Sequence, residues 1–266
     1  MDLSDIVFIG GFAVWLYMSA FYVLSLFKRD ASLVDIGWGL GFVLLVWLFR
    51  LLQSDSVSAG FNVIALLVSI WGIRLAAHIY MRSAGQDEDW RYRSMRQRWG
   101  PNFWWRSYVQ IFLLQGLLMI VIAAPILAAA HHIDSFDADI WLWLGAAVWL
   151  LGFLFEAIGD WQLGRFIKEK KARRAEVKGP RFMTSGLWRY TRHPNYFGEV
   201  TLWWGLFVAL LGLGDIWWAI ISPVTITFLL LRISGITMLE QKYADDPEFQ
   251  AFKNTTSAFF PLPPKK

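Results

Sequence analysis

Seven stretches of this chain are apolar over roughly the 20 residues a helix needs to cross a bilayer. They are 6–27, 33–52, 61–81, 108–130, 140–163, 196–212 and 216–233. Lipid offers no water to a free backbone amide, so each stretch must be helical. That sets the fold class: an all-α polytopic membrane protein with seven transmembrane helices. Only 17% of residues are charged, against about a quarter in a soluble domain, so residues 1–266 read as one membrane domain. The first run has no basic segment before it and no small-residue cleavage site after it, which reads as a retained helix rather than a signal peptide. The last two runs are joined only by Gly212-Leu213-Gly214-Asp215 and are expected to form a tight hairpin.

Lys and Arg set the orientation. All but Arg50 and Arg74 of the 25 Lys and Arg lie in the first, third and fifth loops and the C-terminal tail. These segments therefore face the cytoplasm, and the N-terminus lies outside. Three basic segments converge on that face: 82–106, 164–195 and the tail. The run 168–178 reads as mostly solvated, enforcing topology and touching anionic lipid.

Cysteine is absent, which excludes disulfides, thiolate nucleophiles and Cys-based metal sites. His131 and His132 are adjacent and followed by Asp134 and Asp137, but neighbours do not share a helix face. An interfacial loop is the expectation there, and no metal is expected. Most of the 17 Trp suit the lipid–water interface and need no functional explanation. Gly10-Gly11 and Gly37-x-Gly39-x-Gly41 lie inside apolar runs with no strand before them, so they are not phosphate loops. The second set suits close helix contact or a nearby ligand.

Ionisable residues inside apolar runs are costly unless partnered, and each is a site candidate. Asp35 opens the second helix. Arg74 and His78, four apart, share a face of the third, followed by Tyr80 and Arg82. Glu156 and Asp160 stand four apart in the fifth helix, Glu199 opens the sixth and Arg232 ends the seventh. Structural ion pairs are the alternative reading, for example Arg74 with Asp35 or Glu156. Residues 86–93, Gln-Asp-Glu-Asp-Trp-Arg-Tyr-Arg, mix acids, aromatics and arginines, as a nucleotide diphosphate site requires.

The densest polar stretch is 185–199. Its Gly186-Leu187-Trp188-Arg189-Tyr190-x-Arg192-His193-Pro194-Asn195-Tyr196-x-Gly198-Glu199 resembles the C-terminal signature of the membrane steroid reductases. These include the steroid 5α-reductases, their bacterial relatives in a domain family of unknown function, and the sterol C14/C7 reductases. Arg232-x-Ser234-Gly235, Leu239-Glu240-x-Lys242-Tyr243 and 256–261 are similar to the rest of that signature. Upstream, Arg74-Leu75, His78, Arg82 and Asp89-Trp90-Arg91-Tyr92 look like the bacterial branch. The likeness spans roughly residues 70–261. Isoprenylcysteine carboxyl methyltransferases share a shorter Arg-His-Pro-x-Tyr core; the added Asn195 and Glu199 favour the reductases.

The resemblance implies NADPH bound from the cytoplasmic side by helices five to seven, with residues 131–266 as the cofactor half and 1–130 as the substrate half. It implies reduction of the C4–C5 double bond of a 3-keto-4-ene steroid, or of a related hydrophobic enone. By position it assigns Asp160, Arg165, Tyr190, Arg192, His193, Asn195, Glu199, Arg232 and Tyr243 to the cofactor, and Arg82 and Arg91 to its phosphate side. A monomer in a bacterial inner membrane is expected, with lipid around it and no nucleic-acid partner.

Catalytic assignments fall on the N-terminal half, which departs from the pattern. The eukaryotic 5α-reductases carry a Gln-Glu pair in the second helix and a Tyr in the third. Here Val34-Asp35 retains only the acid, and the third helix offers Tyr80, with Trp71 nearer the matching place. Hydride transfer to an enone builds charge on the carbonyl oxygen, so a proton donor is needed there. Asp35, kept protonated by burial, with Tyr80 beside it, is the expected pair. The rival readings are an S-adenosylmethionine-dependent methyltransferase and a non-enzymatic sterol-binding protein.

Overall fold

The computed structural model describes residues 1–53, 57–172 and 179–265. Its long helices are α1 (Leu3–Lys28), α2 (Leu33–Leu52), α3 (Ala59–Ser83), α4 (Trp90–Ile122), α6 (Ile140–Ala172), α7 (Pro194–Ala209) and α8 (Trp217–Gln241). Two short ones complete the set, α5 (Ala124–His131) and α9 (Pro247–Thr255). Seven helical spans, with α7 continued by a 3-10 turn to Leu213, are long and apolar enough to cross a membrane. The chain is thus an all-helical, multi-pass membrane protein, with no strand among the described residues.

Several helices outrun their apolar stretches. Residues 90–107, expected as loop, are helical, because Asp89 caps the start by accepting from the Arg91 amide at 3.0 Å. Their polar composition places them outside the hydrocarbon without preventing helix. In the same way α6 continues to Ala172 and α8 to Gln241. The run 108–130 is not one span. Pro125 has no amide to extend α4, so a new helix begins at Ala124. That helix, α5, is buried from Ala124 to Ala130, and the Ile122 carbonyl accepts from Ser222 Oγ at 2.6 Å. Residues 173–178 of the expected solvated run lie outside the described residues.

Two compact units divide the chain: Met1–Leu142 with Leu210–Ser222, and Trp143–Ala209 with Pro223–Lys266. In the first, α2 and α3 meet backbone to backbone. A Cβ on Gly39 would lie 2.6 Å from the Gly72 carbonyl oxygen, so this glycine permits the close helix contact. Phe42 packs edge-on against both Trp38 and Trp71 beside it. Gly214, at φ 85, turns the chain after α7.

The second unit is built on a glycine seam. Gly145 and Gly152 of α6 and Gly198 and Gly205 of α7 recur every seven residues and face one another. A Cβ on Gly152 would meet the Leu202 amide nitrogen at 2.5 Å, and one on Gly205 the Trp149 amide nitrogen at 2.5 Å. The C-terminal segment then returns to the start of α7: Thr191 bridges Ser257, and the Leu262 amide donates to the Tyr190 carbonyl at 3.0 Å.

Candidate functional site

In the first unit, Asp35 faces a cavity of about 350 Å³. Most of its lining is polar, including Ser32, Arg82, Gln86, Asp87 and Asp89, with Ile79 and Trp90 as its apolar members. Asp35 Oδ2 accepts from Arg91 Nη2 at 2.6 Å, and Oδ1 from the Tyr92 hydroxyl at 2.6 Å. Gln115 Nε2 donates to the same phenol oxygen at 3.3 Å. The carboxylate is therefore held from two consecutive residues of α4. It forms an ion pair with Arg91, since helix beginning at Trp90 brings Arg91 to the head of α2.

Two adjacent acids arrange that helix start. Glu88 takes Arg96 on both oxygens, Nη2 at 2.7 Å and Nε at 3.0 Å, and accepts the Ala31 amide at 2.9 Å. Burial opposes its charge, but these donors outweigh it and hold the carboxyl below the usual range. Asp89 takes Arg91 Nε at 2.8 Å. Burial again opposes the charge, and Arg91 outweighs it, so this carboxyl too is lowered.

In the second unit, Arg192 is 6% exposed and fully occupied by protein acceptors. Nη2 and Nε reach Glu240 Oε1 at 2.7 and 2.9 Å, while Nη1 donates to the Lys253 and Thr256 carbonyls. His193 places Nε2 3.2 Å from the same Glu240 oxygen and stacks on Tyr196, centroids 5.4 Å apart. Burial pushes the imidazole below its ordinary value, Glu240 works against that shift, and Arg192 adds to it. Asn195 Nδ2 donates to Asp160 Oδ1 at 3.2 Å, and its own Oδ1 is buried with no donor. Glu199 accepts from Trp203 Nε1 at 3.4 Å. Glu156, Asp160 and Glu199 are all buried on α6 and α7.

Residues 21–256 match the model of DUF1295, a family described as proteins of unknown function. The chain belongs to DUF1295. An uncharacterized protein of Schizosaccharomyces pombe is 24% identical to this DUF1295 protein, over 90% of this chain and 74% of its own length. No solved structure matches.

The residues singled out in this DUF1295 chain fall into two groups and some outliers. Asp35 and Arg82 line the first-unit cavity; Arg91 reaches it only through Asp35 and Asp89, the two carboxylates that engage it, whereas Arg82 makes no ion pair among the described residues. Tyr80 is 62% exposed near the end of α3 and does not line that cavity. Asp160, Arg192, His193, Asn195 and Glu199 gather around the start of α7. Arg165 is exposed, pairs with Glu169 at 2.8 Å and lines a separate cavity of about 410 Å³ with Trp161, Phe166 and Phe182. Tyr190 is exposed and contributes its carbonyl to the tail. Tyr243 packs on Phe182 and Phe249. Arg232 stands exposed in a π-helical turn, Leu229–Ile233.

Sequence reading takes in Glu88, Asp89 and Tyr92 only as part of the mixed 86–93 segment, and Glu240 only as part of the quoted motif, and gives none of the four a role of its own. A signal exists for one of them: an Asp directly before a run of good helix formers reads as an N-cap. Tyr92 is hidden while its segment is taken for loop. Glu240 stands in the quoted motif, but its pairing with Arg192 and His193 has no local signal, because they lie 48 and 47 residues away.

Proposed function

We propose that this DUF1295 protein is an NADPH-dependent reductase of an activated carbon–carbon double bond in a hydrophobic enone. A 3-keto-4-ene steroid is the substrate class to test. The observation that carries the reading is a polar row set into the apolar α6–α7 seam: Asp160, Asn195 and Glu199, with a buried carboxamide oxygen on Asn195 that lacks a donor. A nicotinamide carboxamide would supply an N–H to that oxygen, and Asp160 and Glu199 would accept from ribose hydroxyls. Arg232, exposed and in no ion pair among the described residues, suits a phosphate. The resemblance of 186–199 to the membrane steroid reductases supports the same assignment. The geometry gives Arg192 a different part: it holds the tail on the motif, and reaches a ligand only through what it positions.

The bound nicotinamide supplies the hydride. The chain's own contribution to the chemistry is charge control at the ketone oxygen. Asp35 opens onto a cavity, with Arg91 and Tyr92 fixing its two oxygens. In this reading Asp35 takes up a proton from water before the reaction and would pass it to the enolate oxygen, while Tyr92, whose hydroxyl donates to Asp35 Oδ1, holds the carboxyl in place. The tyrosine that touches Asp35 is Tyr92, where the sequence alone expects Tyr80. A cytoplasmic-facing cofactor stretch in a bacterial plasma membrane is part of this proposal, and the Lys and Arg bias of the loops supports it.

Purified protein in detergent tests this directly. NADPH should raise the melting temperature and be oxidised when progesterone is added. Stabilisation by S-adenosylmethionine without NADPH would replace the reading with a methyltransferase, and stabilisation by neither would leave a sterol-binding protein.

A further inference from the structure

We propose that Asp89 is a positioning residue for Asp35, acting through the Arg91 guanidinium. The inference rests on the reading of Asp35 as the group that faces the substrate. One oxygen of Asp89 does two jobs. It accepts the Arg91 backbone amide at 3.0 Å, which starts α4, and Arg91 Nε at 2.8 Å, which aims the side chain. With Nε held, Arg91 presents Nη2 to Asp35 at 2.6 Å. The next residue, Tyr92, then meets the other Asp35 oxygen, also at 2.6 Å. A single capping residue thus sets the direction of two side chains that converge on one carboxylate.

The alternative is that Asp35 holds Arg91 unaided. A guanidinium has a flat fork of five donors and binds a lone carboxylate best along one edge, through two parallel bonds. Here that edge is divided: Nε serves Asp89 and Nη2 serves Asp35. Dividing the fork costs Asp35 a second bond from arginine and leaves its Oδ1 for Tyr92. Without Asp89 the fork is free to close on Asp35 from its edge or to turn toward Asp87, which lines the same cavity. Glu88 performs a parallel service, tying Arg96 to the Ala31 amide just before α2. The two acids are neighbours in sequence with separate arginines, so removing one leaves the other's clamp in place.

Full-length protein in detergent, labelled with 15N arginine and free of ligands, tests the geometry without any assay of activity. Arg91 signals are identified by their loss in Arg91→Lys. Asp35→Asn should speed hydrogen exchange at Nη and leave Nε slow. Asp89→Asn keeps an N-cap and should speed exchange at both Nε and Nη by more than about tenfold if Asp89 aims the fork. Nη exchange at the wild-type rate in Asp89→Asn overturns the proposal, because Asp35 then holds Arg91 alone. This arm stands or falls whether or not any enone is reduced. If reduction is found, Asp89→Asn should lower kcat about tenfold with KM for NADPH within about twofold of wild type, and Asp89→Glu should restore part of it. A lowered melting temperature with unchanged kcat per folded molecule would mark a merely structural residue and overturn the proposal. Should Asp89→Asn not fold, Arg91→Lys carries the kinetic arm: a point charge cannot serve two carboxylates at fixed angles, and unchanged kcat counts against the idea.

Discussion

Arg192 and Glu240, 48 residues apart, form an ion pair in which Nε and Nη2 of one guanidinium meet the same carboxylate oxygen at 2.9 and 2.7 Å. The third nitrogen serves two carbonyls of the C-terminal segment. The most basic-looking residue of the 186–199 motif is thus a structural clasp. His193 shares its carboxylate, so the clasp also sets where that imidazole stands.

Replacing Arg192 with Lys keeps the charge and loses the fork. Buried pairs broken on one side cost about 3–5 kcal/mol; Lys retains part of the interaction, so a loss of about 2 kcal/mol is expected. Limited proteolysis should cut within 236–262 faster, and the melting temperature should fall. Arg165→Lys is the control: its pair with Glu169 is exposed, and such pairs contribute at most about 0.5 kcal/mol.

Tyr92→Phe tests the other pair. The ring is 5% exposed and stays in place, while Asp35 Oδ1 and Gln115 lose the hydroxyl. Stability should fall by about 1–2 kcal/mol. If the Asp35–Tyr92 pair serves catalysis, kcat should fall about 100-fold, whereas Tyr80→Phe, on an exposed residue away from the cavity, should leave it within about twofold.

The seven spans were legible because burial in lipid demands one thing, apolar length, and local sequence records it. Helix ends were less so: α4 begins 18 residues before its apolar stretch, at an Asp cap, and Pro125 divides a run that hydropathy treats as continuous. The glycine seam was written in the sequence as Gly145, Gly152 and Gly159 and as Gly198 and Gly205. Its period of seven, though, becomes meaningful only once α6 and α7 are known to face one another. Pairings such as Asp35 with Arg91 and Tyr92, or Glu240 with Arg192 and His193, join segments 47 to 57 residues apart. No periodicity reports contacts of that range; motif resemblance flagged most of the residues without giving their partners.

Titration of His193 should be visible in stability. Burial lowers its pKa from the ordinary 6.5 more than Glu240 restores it, with Arg192 adding to the fall. Below 6.5 the unfolded chain therefore binds a proton that the folded chain refuses. Stability falls as pH drops below 6.5 and levels off below the folded value. His132, also lowered, first by burial and then by His131, adds to the same window. Melting temperatures across pH 7.5 to about 5 should decline, with less decline in His193→Gln and in His132→Gln. Glu88 and Asp89 shift in the opposite sense for stability: lowered carboxyls contribute above their unfolded values, near 4.5 and 3.8, and that contribution is lost on further acidification.

The seam between α6 and α7 offers a test that needs no ligand. A methyl group on Gly152 would sit 2.5 Å from the Leu202 amide nitrogen, a contact that only moving a helix backbone relieves. Gly152→Ala should therefore cost about 1–3 kcal/mol through overpacking, although Ala is the better helix former. A methyl group on Gly11 would meet no atom within 4 Å. Gly11→Ala gains about 0.5–1 kcal/mol of helix propensity with no clash. Thermal unfolding in one detergent should move the two variants in opposite directions. Equal shifts would mean that the helices part readily, and that the polar row of Asp160, Asn195 and Glu199 is not held by this seam.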